Sequence, residues 1–333
     1  MRNYAEASAP GRICIAGEDI DWISGPSILC AVNLRTRVSV QSKNSDVDII
    51  TFQTGEPFNF IENVLLEHIG AYSGGVLDYV HASLRVITKL GITPRPMTIK
   101  VESELPARAG LGSSAAVCVA SLAALSEFYE LNLSDEQIAY LAYKVESEEL
   151  QTGAGQMDMY SSALGGLIYL DSLTIPPHSI ENYQLPEGLD IVIVDSITPR
   201  STAAVIRDKR KRYNAQEPNF MKYVDETETA IQKLRTVLAL QSTDVMQELG
   251  SLVYLCHAYI KDFLQVSTKL IDDCVEISMR NGALGAKLTG TGMGGCMFSL
   301  VPREMTPDVA SSLQEKPVRV FVTSPSRRGV IRN

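Results

Sequence analysis

The sequence predicts an α+β protein of two domains, and three observations carry that reading. The chain has 333 residues, about twice the length of a common domain. Hydrophobic residues make up 45% and charged residues 21%, which supplies material for buried cores and rules out collagenous, low-complexity and disordered chains. Short β-branched runs and helix-spaced apolar stretches mix in both halves, so neither is all strand or all helix. A break at Pro176-Pro177, followed by polar sequence of extended bias as far as Pro186, divides residues 1–178 from 179–333.

Taken in order, Arg12 to Ala16 and Ser27 to Val40 flank the polar turn Gly17-Glu18-Asp19-Ile20-Asp21, giving a strand, a loop fit for function and a second strand. Met97 to Val101 is a further short strand. Behind Gly110-Leu111-Gly112-Ser113-Ser114, the Ala- and Leu-rich stretch Ala115 to Tyr129 reads as a buried helix with serine available to cap its start. Ser134-Asp135-Glu136-Gln137 has the form of a capping box, and Ile138, Leu141, Ala142 and Val145 space a helix to about Leu150, with Glu146 near its end. The loop Gly153-Ala154-Gly155 leads to Asp158, and Gly165-Gly166 turns into a strand from Leu167 to Leu170.

The second half opens on Ile191-Val192-Ile193-Val194-Asp195, a buried-strand run. A charged segment, Arg207 to Arg212, precedes helices at Asp225 to Leu240, Asp244 to Leu264 and Ser267 to Asn281, the last closed by Gly282. The turn Gly290-Thr291-Gly292-Met293-Gly294-Gly295 separates strands at Ala286 to Leu288 and Cys296 to Leu300, and Val318 to Val322 adds a final strand.

The formal net charge of −9 disfavours nonspecific adhesion to nucleic acid or an anionic membrane, so any phosphate recognition is local. No apolar stretch approaches the ~18 residues a bilayer span needs, and no secretory signal is visible at the N-terminus. The six cysteines are scattered without a CxxC pair, and most sit in apolar segments; they read as buried thiols of a reducing compartment, and the cytoplasm is the expected location. The four histidines are equally dispersed, which gives a His/Cys zinc site no support.

The sharpest chemical feature is Pro106 to Ala116 with its Gly110-Leu111-Gly112-Ser113-Ser114 core between a strand and a helix. Glycines let a backbone wrap an anion, and a helix start offers unpaired N–H groups, so phosphate is the natural ligand, although the same residues suit a plain tight turn. The hydroxyls of Ser113 and Ser114 could add hydrogen bonds or a Mg²⁺ contact. The loop lacks the Walker lysine and the third glycine of a dinucleotide fingerprint. Gly290 to Gly295 allows a second backbone nest or a hairpin. Glu146 and Asp158 supply carboxylates of the kind that hold Mg²⁺ or direct a substrate hydroxyl in phosphoryl transfer.

Three segments together resemble the GHMP kinases, the superfamily of galactokinase, homoserine kinase, mevalonate kinase and phosphomevalonate kinase. They are Ala9-Pro10-Gly11-Arg12 through Asp21 to Gly25, the Pro106 to Ala116 loop, and Gly285-Ala286-Lys287-Leu288-Thr289-Gly290 through Cys296. They occur in family order and bracket almost the whole chain. Within the superfamily the spacing of Arg12, Glu18 and Asp21, with Gly155-Gln156-Met157-Asp158, looks galactokinase-like. The resemblance implies two α+β domains with ATP and a sugar or sugar acid in the cleft between them, and phosphorylation at the anomeric hydroxyl. It implies Asp158 as catalytic base or hydroxyl-orienting group, Arg12 at the reacting oxygens, and Ser114 with Glu146 on Mg²⁺. Gly110, Leu111, Gly112, Ser113, Ser114 and Ala115, with Gly290, Gly292 and Gly294, would wrap ATP, and Glu18, Asp19, Asp21 and Gly155 would meet the substrate.

Two features depart from galactokinases: Asp19 stands where they carry histidine, and their Y-N-x-R-R segment is replaced by Val205 to Arg210, with Tyr213-Asn214 later. The alternatives within reach of the resemblance are a mevalonate- or homoserine-type small-alcohol kinase and a nucleotide-binding regulator without catalysis. The family resemblance leaves the oligomeric state open.

Overall fold

The computed structural model describes residues 2–44, 49–55, 59–75, 77–106, 109–199, 201–240 and 244–333. Two long strands, β1 (Tyr4–Ala16) and β2 (Pro26–Ser42), pair antiparallel and form the spine of the first sheet. Alternation along β1 sends Ala5, Ala7, Ala9 and Cys14 into one core and Ile13 and Ile15 into another, so a single strand serves both halves of the molecule. β3 (Ile49–Thr54), β4 (Ile61–Leu65) and β5 (Met97–Ser103) extend this sheet, while β6 (Leu167–Asp171) and β7 (Ser179–Tyr183) pair beyond the other half of β2. Covering one face are α1 (Asp78–Lys89), α2 (Ser113–Tyr129), α3 (Asp135–Lys144) and α4 (Met157–Leu164). The Ser134–Gln137 capping box is formed, and α3 runs into a π-helical turn at Val145–Glu149.

The second sheet has the order β11-β8-β10-β9, from β8 (Leu189–Asp195), β9 (Gly285–Thr289), β10 (Cys296–Pro302) and β11 (Arg319–Thr323). Around it lie α5 (Thr202–Asn214), α6 (Pro218–Leu240), α7 (Val245–Tyr259), α8 (Lys269–Arg280) and α9 (Thr306–Gln314). Helices α6 and α7 also meet β1, across the Ile13 and Ile15 face. A last short strand, β12 (Ile331–Arg332), returns to pair with Ala7 and Ser8 of β1. Residue 178 lies in the turn between β6 and β7, which pair with each other in the first sheet; we therefore propose drawing the domain division in space just after β7, with β12 belonging to the first domain.

The charged run Arg207 to Arg212 is helical within α5, and its Lys209 is fully buried. All six cysteines are buried and none forms a disulfide. No helix among the described residues is long and apolar enough to cross a membrane.

Candidate active site

The pairing of β1 with β2 shifts register between Pro10 and Gly11, and such an irregularity bends a strand and re-aims its side chains. Arg12 follows immediately, 4% exposed. Its Nε and Nη2 donate to Oδ1 and Oδ2 of Asp158 at 2.7 and 2.5 Å, and its Nη1 donates to the Gly110 carbonyl at 2.6 Å. One guanidinium thus ties the first strand to the glycine loop and to the first turn of α4, where Asp158 sits. Burial acts to lower the Arg12 pKa, but the charge and hydrogen bonds of Asp158 outweigh it and leave the pKa raised. Such a paired, planar donor set is geometrically fixed.

Gly112 is the N-cap of α2 with φ +68, and no side chain caps the helix, so the serine cap expected from sequence does not form. The physical reason is space: a β-carbon on Gly112 would stand 3.1 Å from Arg12 Cγ. The helix start is left to the backbone and to the half-buried Ser113 and Ser114. Leu111 and Ala115 turn their side chains into the cores, so only their backbones could meet a phosphate. The second glycine loop arrives at the same place, since a β-carbon on Gly290 would lie 2.7 Å from the Gly110 α-carbon, and Cys296 N–H donates to the Ala109 carbonyl at 2.8 Å. Gly292 and Gly294 pack that loop against Val266 and Thr198 respectively.

Glu146 occupies the π-helical turn and is 4% exposed. Such turns often occur at functional positions. Burial raises its pKa, opposed by hydrogen bonds from the hydroxyls of Thr152 and Ser114; the Thr152 bond to Oε2 measures 2.8 Å. Ser114 and Glu146 are therefore neighbours. Among the described residues no group of three or more His, Cys, Asp or Glu could hold a metal. One carboxylate plus one hydroxyl is nevertheless the sparse oxygen set that suits Mg²⁺ when phosphate and water complete the shell.

The acidic turn divides in two. Asp21 is buried, receives a long hydrogen bond from Met157 N–H at 3.4 Å, and has its pKa pushed up to about 7 by burial and then by the nearby charge of Asp158. Gly155 makes room for it, because a β-carbon there would fall 1.8 Å from Asp21 Oδ2. Glu18 and Asp19, expected at the substrate, are engaged elsewhere. Glu18 is 1% exposed, with Oε1 accepting from Lys287 Nζ at 2.5 Å, and Asp19 is held by Lys209 Nζ. The reason is charge pairing: both acids are removed from water, and each is neutralised by a buried lysine of the second domain.

Sequence reasoning passed over those two lysines. Lys287 also donates to the carbonyls of Cys14 and Leu288, each at 2.9 Å, and Lys209 to that of Thr291 at 2.6 Å. The signal for Lys287 was a lysine inside the apolar strand pattern of β9; the charged surroundings of Lys209 hid it. Arg210, which donates to the Gly153 carbonyl at 2.7 Å, was hidden in the same run.

Comparison with known proteins gives the family of the chain. Residues 77–166 match the GHMP kinases N terminal domain, residues 239–317 the GHMP kinases C terminal domain, and residues 3–42 the galactokinase galactose-binding signature. Mevalonate kinase of Thermococcus sibiricus is 31% identical over 331 residues, 97% of each chain. Galactokinase of Thermotoga petrophila is 27% identical over 323 residues, 89% of each. In fold, the Methanococcus jannaschii mevalonate kinase superposes with a TM-score of 0.82 at 24% identity over 96% of this chain and 98% of that one. Lactococcus lactis galactokinase in complex with galactose gives 0.85 at 18% identity over 99% and 95%. Since both halves of the family pattern lie in order on a chain whose relatives align nearly end to end, the protein belongs to the GHMP kinases.

Proposed function

We propose that the protein transfers the γ-phosphoryl group of ATP to a hydroxyl of a small acceptor held between Asp158 and Asp21. The observation that carries this is the Arg12–Asp158 pair anchored to the Gly110 carbonyl, which puts a carboxylate and a fixed cation beside a phosphate-shaped loop. Asp158 accepts the hydrogen bond of the attacking hydroxyl and takes its proton as the oxygen bonds to phosphorus and the bond to the departing ADP breaks. Arg12 orients Asp158 and offsets negative charge at the reacting oxygens. Gly110, Gly112 and the start of α2 receive phosphate oxygens through backbone N–H groups. Ser114 and Glu146 would hold Mg²⁺, which supplies charge neutralisation on the phosphates.

Two acceptor classes have support. The relatives favour a small branched alcohol of the mevalonate type, since the mevalonate kinases of Thermococcus sibiricus and Pyrococcus horikoshii are each 31% identical and align over 97% and 99% of this chain. A monosaccharide or sugar acid is favoured by Asp21, a buried acceptor for a second hydroxyl, together with the galactose-binding signature over residues 3–42. An ADP-release assay with Mg²⁺ and ATP across mevalonate, homoserine, galactose, galacturonate, glucuronate and arabinose decides between them. Failure of every alcohol to release ADP above background would remove the kinase reading in favour of a nucleotide-binding regulator.

A further inference from the structure

Four cations close on the substrate turn and its loop, and three of them have a carboxylate: Arg12 holds Asp158, Lys287 holds Glu18 and Lys209 holds Asp19. Arg210 has none among the described residues. Its Nη2 is spent on the neutral carbonyl of Gly153, its Cζ lies 5.2 Å from the centroid of the Trp22 ring, and its Nε, shielded from solvent, has no hydrogen-bond partner. Trp22 Nε1 is likewise buried and unpartnered. Both atoms are obligate donors, and buried donors without acceptors are rare enough in folded proteins to require an explanation.

Their place in the fold supplies one. Trp22 follows Asp21 directly, and Gly153 precedes Gly155, whose α-carbon lies against Asp21. The same short loop then enters the helix that carries Asp158. Acceptors thus stand at the Asp21 end of the loop and unsatisfied donors at the Arg210 end. An arginine held over an aromatic ring is pre-organised for a planar, two-oxygen anion. A hydroxyl could fill one donor but would leave the guanidinium without a counter-charge.

Resting on the kinase reading above, we propose that Arg210, backed by Trp22, is the specificity-determining cation of the acceptor site and receives a carboxylate of the substrate. The accepted alcohol is then a hydroxy acid or sugar acid, in preference to its neutral counterpart.

Matched pairs test this: galacturonate with galactose, glucuronate with glucose, and mevalonate with the corresponding neutral triol, with galactose 6-phosphate as a further arm. Binding is measured by calorimetry in the presence of Mg²⁺ and a non-hydrolysable ATP analogue, and transfer by ADP release. The acid of at least one pair is expected to exceed its neutral partner on the order of 100-fold in kcat/KM. Arg210→Gln brings that ratio toward unity mainly through the KM of the acid, and Arg210→Lys recovers part of it. Trp22→Phe, which keeps an aromatic ring beneath the guanidinium and deletes one donor, shifts the same KM less and guards against a folding defect in the arginine variants. Equal use of both members of every pair, an equal loss for both in Arg210→Gln, preference for the phosphate ester, or binding of no acid at all overturns the proposal. Acids that bind through Arg210 without being phosphorylated leave it standing and remove the kinase reading; neutral sugars phosphorylated independently of Arg210 do the reverse.

Discussion

Asp158 and Asp21 are neighbouring carboxylates in different surroundings, one paired with Arg12 and the other buried beside Met157 N–H. Asp158 is fixed by two bonds from one guanidinium, so Asp158→Asn should lower kcat by roughly 10³-fold. The amide oxygen can keep one of those bonds while Arg12 retains the Gly110 carbonyl, so the circular dichroism spectrum should remain native; a variant that turns over at the parent rate would exclude Asp158 from the chemistry. Asp21 has a folded pKa of about 7 against an ordinary carboxyl value of 3.8. The folded state therefore binds more protons than the unfolded chain between those values, and the stability from protonated Asp21 is present at low pH and lost as pH rises through about 7. Asp21→Asn should melt like the parent near pH 4 and at progressively higher temperature than the parent up to about pH 7, where the gain levels off at a few kcal/mol. Thermal melts at several pH values check both sign and plateau.

The loop between the π-helical turn and α4 works as one unit. Thr152 binds Glu146, Arg210 binds Gly153, and Gly155 lies against Asp21, so the loop links Glu146, the acid proposed to hold Mg²⁺, to Asp21, the acid proposed to face the acceptor. Gly155→Ala would drive a methyl group into Asp21 Oδ2. The expected result is a loss of about 100-fold in kcat/KM for the acceptor, the scale of a misplacement near 1 Å, with the KM for ATP little changed. Much of this was legible in sequence: glycines around an aspartate mark a loop bent close to something, and the helix starting at the Gly110 to Ser114 segment follows from composition. The fate of Glu18 and Asp19 was not, because their partners Lys287 and Lys209 lie 269 and 190 residues away, and only the tertiary fold brings such charges together. The strands at 49–54 and 61–65 carried too little alternation beside their polar neighbours to stand out.

At the scale of the molecule, the turn after β1 is plugged by side chains from the far domain, and the two glycine loops touch backbone to backbone. The two domains should unfold together. Lys287→Met leaves the Glu18 carboxylate buried without its cation and should cost ~3–5 kcal/mol. Adding Glu18→Gln should recover most of that loss, and a double variant as unstable as the single one would show that Lys287 acts through the Cys14 and Leu288 carbonyls instead. The mixed two-domain class was readable from the alternation of patterns, but β7 and β12 completing the first sheet were not, since a five-residue and a two-residue strand leave little trace in composition.

The Glu18–Lys287 pair also limits how descendants of this sequence can wander. A lineage cannot drop the lysine first without passing through a poorly folded ancestor, whereas losing the acid first leaves an ammonium group still cushioned by two peptide oxygens. Replacement should therefore proceed in that order, and libraries randomised at both codons and selected for growth should yield survivors in which the two positions change in concert.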